Sequence, residues 1–165
     1  KNILIVKKKL LGNILENTKL VTQIKLFSYL LPPTGRGSPT DKTSVIDVYE
    51  SIFIFVQPGD DAVQAALTKR QSELIKKKQK LQPIIVVIGD FEEIRCCIYD
   101  IKWKLPNILS AFDILFKSFF TLDLNFPYQS LTHYEVLQRC IYGIESKPVD
   151  PKANTVINDL DRYAI

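Results

Sequence analysis

The sequence is poor in the residue types that most enzymes use for catalysis. Histidine occurs once, as His133, and neither the Gly-x-Ser-x-Gly nucleophile motif nor the His-Glu-x-x-His zinc motif is present. Such a chain offers little from which to build a pair of acid and base groups with tuned pKa values in a pocket. We therefore expect no enzymatic activity, no cofactor and no metal.

Cysteine is also scarce, and the three cysteines, Cys96, Cys97 and Cys140, form no Cys-x-x-Cys pair. An odd number is a poor disulfide framework, so we expect reduced thiols that act as small apolar residues. Because neighbours on a strand point to opposite faces, Cys96 and Cys97 should be one buried and one more exposed. A zinc site built from these cysteines and His133 is the alternative, but no spacing supports it.

Long apolar runs and methionine are missing as well. No run reaches the roughly 18 uninterrupted apolar residues of a membrane helix, which predicts no membrane partner. The first residues, KNILIVKKKLL, resemble neither a signal peptide nor a transit peptide. With reduced cysteines, this favours an intracellular location, in the nucleus or the cytoplasm. The lack of any methionine leads us to expect an excised or processed segment of a longer protein.

Apolar residues at helical spacing predict a helical arm over residues 1–31. We expect two pieces, with a break near Gly12 or Asn17, although NILIV also has the composition of a short strand. Pro32 and Pro33 end the arm, because proline cannot continue the backbone ladder. Residues 32–44, PPTGRGSPTDKTS, are rich in proline, glycine and small polar residues, which predicts a solvated linker. They lack the Gly-Lys-Ser/Thr ending of a phosphate-binding loop.

Residues 45–145 predict an α+β core domain, and residues 146–165 a tail that is loose or forms one short helix. The core should hold a small three-stranded mixed sheet in the order β-α-β-β-α-α. Its strands are expected at IFIFV, at IIVVI and near residues 95–103. The helix between the first two strands makes them parallel, and the short link to the third favours an antiparallel hairpin.

Aromatic residues are abundant for so short a core. Phe112, Phe116 and Phe119 share one face of a helix that Pro106 opens, and we expect them to be buried against the sheet. A small sheet also has two edges that pairing can cap. Protein interaction or self-association is therefore the leading hypothesis, with anchor residues expected among the other aromatics. These interface candidates are Trp103, Phe126, Tyr128 and Tyr134.

Basic residues are unevenly distributed, although the net charge is only +4. Residues 1–42 carry eight lysines and arginines against two acids, and a second cluster ends the helix of the core. Clusters of this kind bind phosphates without reading sequence, so weak, unspecific nucleic-acid binding through this cluster and the basic arm is the alternative function. The candidate contacts in the core are Lys69, Arg70, Lys76, Lys77, Lys78 and Lys80.

The order of motifs resembles a large, lineage-expanded family of animal proteins. The segments are LLPP with TGR, SVIDVYESIFIFV, LQPIIVVIGD, IYDIKWKL and SAFDILFKSFFTLDLNFPYQS, ending in LQRCIYGI. The family is widespread in arthropods and cnidarians, has relatives in fish and is often associated with mobile elements. Some relatives carry a zinc finger or a sterile alpha motif domain ahead of this region. The resemblance spans about residues 25–145 and implies the carboxy-terminal module of a longer protein, without an established activity.

Overall fold

The computed structural model has an α+β fold, as predicted. It describes residues 2–33, 43–80, 82–98, 100–145, 148 and 150–163, with the backbone alone for residues 2–11 and 163. Packing divides the chain into two compact units: residues 1–24 with 52–124, and residues 25–51 with 125–165. Most of the predicted linker lies outside the described residues, so the division into arm, linker, core and tail stays a prediction.

The amino-terminal arm is one continuous helix, α1 (Asn2–Leu30). The predicted break and the alternative strand at NILIV are therefore both wrong. The Thr18 hydroxyl donates to the carbonyl of Ile14 four residues earlier, so this residue stays inside the helix instead of capping a new one. Asn17 is buried in the first unit, where its Oδ1 accepts a hydrogen bond of 2.9 Å from the backbone N–H of Ile108.

The described residues of the first unit form a sheet of four strands, so the prediction of three is wrong. Strands β1 (Phe53–Val56), β2 (Ile84–Ile88), β3 (Glu93–Ile98) and β4 (Ile101–Leu105) follow one another in spatial order. The first pair is parallel and the other two are antiparallel. The segment expected to be one strand reverses direction, because Ile98 pairs with Ile101. Asp100 lies at this reversal, and aspartate favours turns.

Helix α3 (Asp60–Lys76) connects β1 to β2 and covers one face of the sheet. The chain enters it through Gly59, whose φ of +127° suits only glycine. Asp60 and Asp61 lie in the first turn, where carboxylates complement the helix dipole. The cluster that the helix buries consists of Val63, Ile84, Val86, Ile88 and Cys97.

Helix α4 (Ile108–Thr121) packs on the opposite face, against β2, β3 and β4. Its first turn is capped by the Asn107 side chain, which accepts a 2.8 Å hydrogen bond from the N–H of Ser110. Phe112, Phe116 and Phe119 are buried, which confirms the predicted aromatic face.

The burial of two neighbouring cysteines shows that helices cover the sheet on both sides. Cys96 and Cys97 lie on opposite faces of β3, yet both are buried. The expectation that one would be more exposed is wrong, since α3 covers the side of Cys97 and α4 the side of Cys96.

The second unit is helical. It contains the last residues of α1, the helices α2 (Val45–Glu50), α5 (Leu131–Cys140) and α6 (Pro151–Tyr163), and a 3₁₀ turn over Tyr128–Ser130. Ser44 and Asp47 form a capping box at the start of α2. The core cluster consists of Leu31, Val136, Ala153 and Ile157. Among the helices that the structure describes, none has the length and apolar content needed to cross a membrane.

Candidate protein-interaction surface

Strand β4 presents different chemistry on its two faces. Trp103 pairs with Cys96 and Lys104 with Arg95, so the strand alternates across the sheet. Ile101 and Trp103 lie on the same face of the sheet as α4, which packs mainly on β2 and β3. Lys102 and Lys104 lie on the opposite face, the one on which α3 packs. Ile101 is 55% exposed and Trp103 is 41% exposed, which is high for large apolar side chains of a strand.

The outer side of β4 is an open sheet edge. In the strand order β4 is last, and no strand among the described residues pairs with its outer side. In an antiparallel ladder alternate residues direct their N–H and C=O groups toward the neighbour, so the other residues of β4 direct theirs outward. An edge that combines free peptide groups with exposed apolar side chains is a template for strand addition.

A network of charged side chains lies beside the lysines of β4. Arg95 Nη1 is 2.7 Å from Asp60 Oδ1, and the Arg95 Nε–H donates to Glu93. Lys104 Nζ is 2.7 Å from the other oxygen of Glu93. The hydrogen bond from Lys104, followed by the one from Arg95, lowers the pKa of Glu93. Hydrogen bonds to Glu93 and then to Asp60 raise the pKa of Arg95.

A cavity of about 340 Å³ opens where this network meets the first turn of α3. Its lining includes Gly59, Asp60, Glu93 and Arg95. The Arg95 guanidinium group is bonded to both carboxylates, and Lys104 is bonded to that of Glu93. Their charges are therefore largely compensated within the protein.

The four predicted interface residues fall in both units. Trp103 is an exposed residue of β4 in the first unit, whereas Phe126, Tyr128 and Tyr134 belong to the second unit. Phe126 and Tyr134 stack with ring centroids 4.8 Å apart and an interplanar angle of 9°. Tyr134 is fully buried in this core, so its assignment as a surface anchor is corrected. Phe126 and Tyr128 are half-buried.

The predicted basic cluster lies on one side of α3 and in the segment that follows it. Lys69 and Lys76 are seven residues apart, as are Arg70 and Lys77, so each pair repeats after two turns. The two rows are about 100° apart around the helix axis. Arg70 is half-buried, and the remaining residues are exposed: Lys69, Lys76, Lys77, Lys78 and Lys80. The side chains of residues 1–11 of the basic arm lie outside those that the structure describes.

Three residues of the candidate surface escaped the sequence reasoning: Ile101, Lys102 and Lys104. The signal was present, since IKWKL alternates apolar and charged residues with the period of a half-covered strand. Assigning residues 95–103 to one strand hid this alternation, because the reversal before Ile101 was not recognised.

The residues of the alternative zinc site belong to both units. Cys96 and Cys97 are buried in β3, Cys140 is exposed at the end of α5, and His133 is buried within α5. Burial lowers the pKa of His133 to about 4, which keeps the ring neutral near pH 7. In the part of the chain that the structure describes, no three histidine, cysteine or acidic side chains are grouped to hold a metal ion.

Comparison of this chain with known protein families, with curated proteins and with solved structures found no match.

Proposed function

We propose that the chain is a non-enzymatic module for protein interaction or self-association, and that the outer edge of β4 is its interaction surface. The observation that carries this proposal is the exposure of Ile101 and Trp103 on a strand without an outer neighbour among the described residues. Tryptophan is among the residues that contribute most to binding energy at protein interfaces. The backbone of an edge strand adds hydrogen bonds that no isolated surface side chain provides.

The non-enzymatic part of the proposal rests on the residues that are present. The one histidine, His133, is buried and neutral near pH 7, so it is not placed to exchange protons with a substrate at the surface. The charged groups of Arg95 and Glu93 in the first unit are bonded to each other. These observations favour a structural use of the polar groups.

The chain's membership in the family that it resembles, as the carboxy-terminal module of a longer and mobile-element-derived protein, is also a proposal. So is its location in the nucleus or cytoplasm. The full-length transcript and the distribution of the tagged full-length protein between cell fractions test both. Recovery of the protein from the culture medium contradicts the proposed location.

Photo-crosslinking at position 103 tests the interaction surface. Trp103 is replaced by p-benzoylphenylalanine, and the matched control carries the same residue at Leu109 of α4, which is 66% exposed. We expect protein adducts from position 103 and few from position 109. Adducts at twice the chain mass from the purified protein identify self-association, and adducts formed only in extract identify another protein.

A second variant makes this experiment specific for strand addition. Because Ile101 pairs with Ile98 across the hairpin turn, its N–H bonds to β3, and the N–H groups of Lys102 and Lys104 point outward. Lys102→Pro removes one of these outward donors and disfavours a paired strand at this edge, so adducts from position 103 should decrease. Circular dichroism confirms that the variant stays folded. Equal adduct yields at positions 103 and 109, unaffected by Lys102→Pro, contradict the proposed surface.

Nucleic-acid binding is the second candidate, because the rows Lys69–Lys76 and Arg70–Lys77 place positive charge along one side of α3. Titration with fluorescent DNA and RNA at 50 and 200 mM salt, by anisotropy, tests it. The double variant Lys69→Glu and Lys76→Glu should reduce binding, and Lys117→Glu on α4 is the control. Steep weakening with salt and indifference to sequence fit phosphate contacts. Salt-resistant, sequence-selective binding contradicts this view and favours base recognition.

A further inference from the structure

The lysines of β4 restrict what can pair with this edge. Lys102 and Lys104 point to the same face of the sheet, and both are exposed. Side chains opposite each other in neighbouring antiparallel strands have Cβ atoms about 4.5–5.5 Å apart, so like charges there are unfavourable. The charge of the residues opposite these two lysines therefore decides which strands β4 accepts.

This restriction disfavours pairing of β4 with a second copy of the chain. When two β4 strands pair antiparallel about a two-fold axis at Trp103, Lys102 of each copy lies opposite Lys104 of the other. A shift of the register by two residues in either direction places Lys102 opposite Lys102, or Lys104 opposite Lys104. Each of these registers opposes at least one pair of lysines, which is how edge strands commonly avoid self-pairing.

The charge of Lys102 is available for an incoming acid. Its ammonium group donates a 2.9 Å hydrogen bond to the neutral amide oxygen of Gln64. No carboxylate within the described part of the chain forms a salt bridge with it, whereas Lys104 shares Glu93 with Arg95. In the strip formed by Arg95, Lys102 and Lys104, Arg95 is bonded to the carboxylates of Asp60 and Glu93 and Lys104 to that of Glu93, whereas Lys102 is bonded to neither.

We infer that β4 binds an extended acidic segment of a different protein as a fifth strand of the sheet. Acidic side chains of that segment lie on the face of Lys102 and Lys104, and the alternate apolar side chains pack on Ile101 and Trp103. Backbone groups pair with the outward N–H and C=O groups of β4. This inference rests on the proposed use of the β4 edge and narrows it to one class of partner.

A peptide that alternates glutamate and valine, (Glu-Val)₃-Glu, is the probe. Trp103 is the single tryptophan of the chain, so its fluorescence reports directly on this edge. Binding should move its emission to shorter wavelength, because the half-exposed indole becomes covered. At about 0.15 M salt, we expect the lysine version, (Lys-Val)₃-Lys, to bind at least about tenfold more weakly.

Two further measurements separate strand addition from simple charge attraction. N-methylation of the two inner glutamates keeps the charge of the acidic peptide but removes the N–H donors that an antiparallel strand directs at Lys102 and Lys104, and it should weaken binding at least about tenfold. In the protein, Lys102→Glu should reverse the preference toward the lysine peptide, while Lys76→Glu on α3 changes the net charge equally and should leave it unchanged. Reversal of preference is a result that loss of folding cannot produce.

The outcomes distinguish this inference from the proposed function. If the crosslinks from position 103 capture protein but glutamate and lysine peptides bind alike, or neither binds, the acidic strand is wrong and the interaction surface stands. If the N-methylated peptide binds as well as its parent, the contact is electrostatic and strand addition is wrong. If a purified dimer crosslinks through position 103, the occupant is a second copy, and the inference fails while self-association is supported.

Discussion

Strands β2 and β4 belong to one sheet, and they differ in burial from end to end. Every residue of β2, IIVVI, is buried, whereas four of the five residues of β4, IKWKL, are exposed and the fifth is half-buried. Helix α3 packs on the first pair of strands from one side and α4 packs from the other, so β2 has apolar neighbours on both faces. Among the residues that the structure describes, β4 has a paired strand on one side only.

This difference shows that position in the sheet, and not strand propensity, determines whether a residue is buried or exposed. Isoleucine occurs in both strands, but Ile85 is buried between the β1 and β3 neighbours Phe53 and Cys96, whereas Ile101 is mostly exposed. The same side chain therefore stabilises the fold at one position and is available to a partner at the other. The predictions that follow test this contrast in order of decreasing effect.

Thiol chemistry should show the largest contrast. A cysteine placed at Ile101, in a chain whose Cys140 is replaced by serine, should react with a disulfide reagent as an exposed thiol does. Cys96 and Cys97 should react at least about a thousandfold more slowly, because access requires opening of a buried strand. Burial also raises their pKa values to about 12 and about 11, which reduces the reactive thiolate. Similar rates for all three thiols would show that β3 is not covered.

The stability of the fold should depend on the buried aromatic face of α4. Phe116→Ala should lower the free energy of unfolding by about 3–5 kcal/mol, since it leaves a cavity. Phe120, whose ring centroid lies 5.1 Å from that of Phe116, is 46% exposed, and Phe120→Ala should cost about 1 kcal/mol. Urea unfolding measures both. Equal losses would mean that α4 does not distinguish a buried from an exposed face.

An isoleucine in each strand gives a closer comparison. Ile85→Ala in β2 should destabilise the protein by about 2–5 kcal/mol. Ile101→Ala in β4 should change stability by less than about 0.5 kcal/mol, because the side chain is already largely in water. Both variants remove the same atoms, so unequal midpoints in urea at an unchanged slope report burial alone. A large loss at Ile101 would indicate that this residue is covered in solution.

The same contrast between covered and uncovered strands explains which parts of the fold could be predicted from the sequence. The buried strands and the Phe112–Phe119 face were predictable, because continuous apolar runs and helical spacing reflect coverage on known sides. The fourth strand was missed, since one residue pair, Ile98 and Ile101, sets the reversal and leaves little signal in composition. The continuous α1 was missed because a buried Asn17 bonds to Ile108, 91 residues away.

The candidate site was only half predictable for a related reason. Trp103 was identified as an aromatic residue outside the core face, but Tyr134 has the same chemistry and is buried on Phe126. Aromatic content alone cannot separate an anchor from a core residue. The positions of Lys102 and Lys104 follow from the pairing of β4 with β3. This pairing brings Lys104 to Glu93, a contact that spacing along the chain does not show.

The smallest expected effect concerns the charges of the edge. The pKa of Glu93 is lowered mainly by the hydrogen bond from Lys104 and then by that from Arg95, so the folded state binds a proton there less readily than the unfolded chain. The resulting contribution to stability is complete above the unfolded pKa near 4.5 and is lost as the pH falls through the lower folded pKa.

Lys104→Ala should raise the pKa of Glu93 toward its usual value. Because Lys104 is 71% exposed, the variant should cost only about 0.2–1 kcal/mol near pH 7, less at high salt. Carboxyl chemical shifts followed from pH 2 to 7 measure the titration, with Lys117→Ala on α4 as the control. An unchanged Glu93 titration would mean that Lys104 is not bound to Glu93 in solution and is already free to meet a partner.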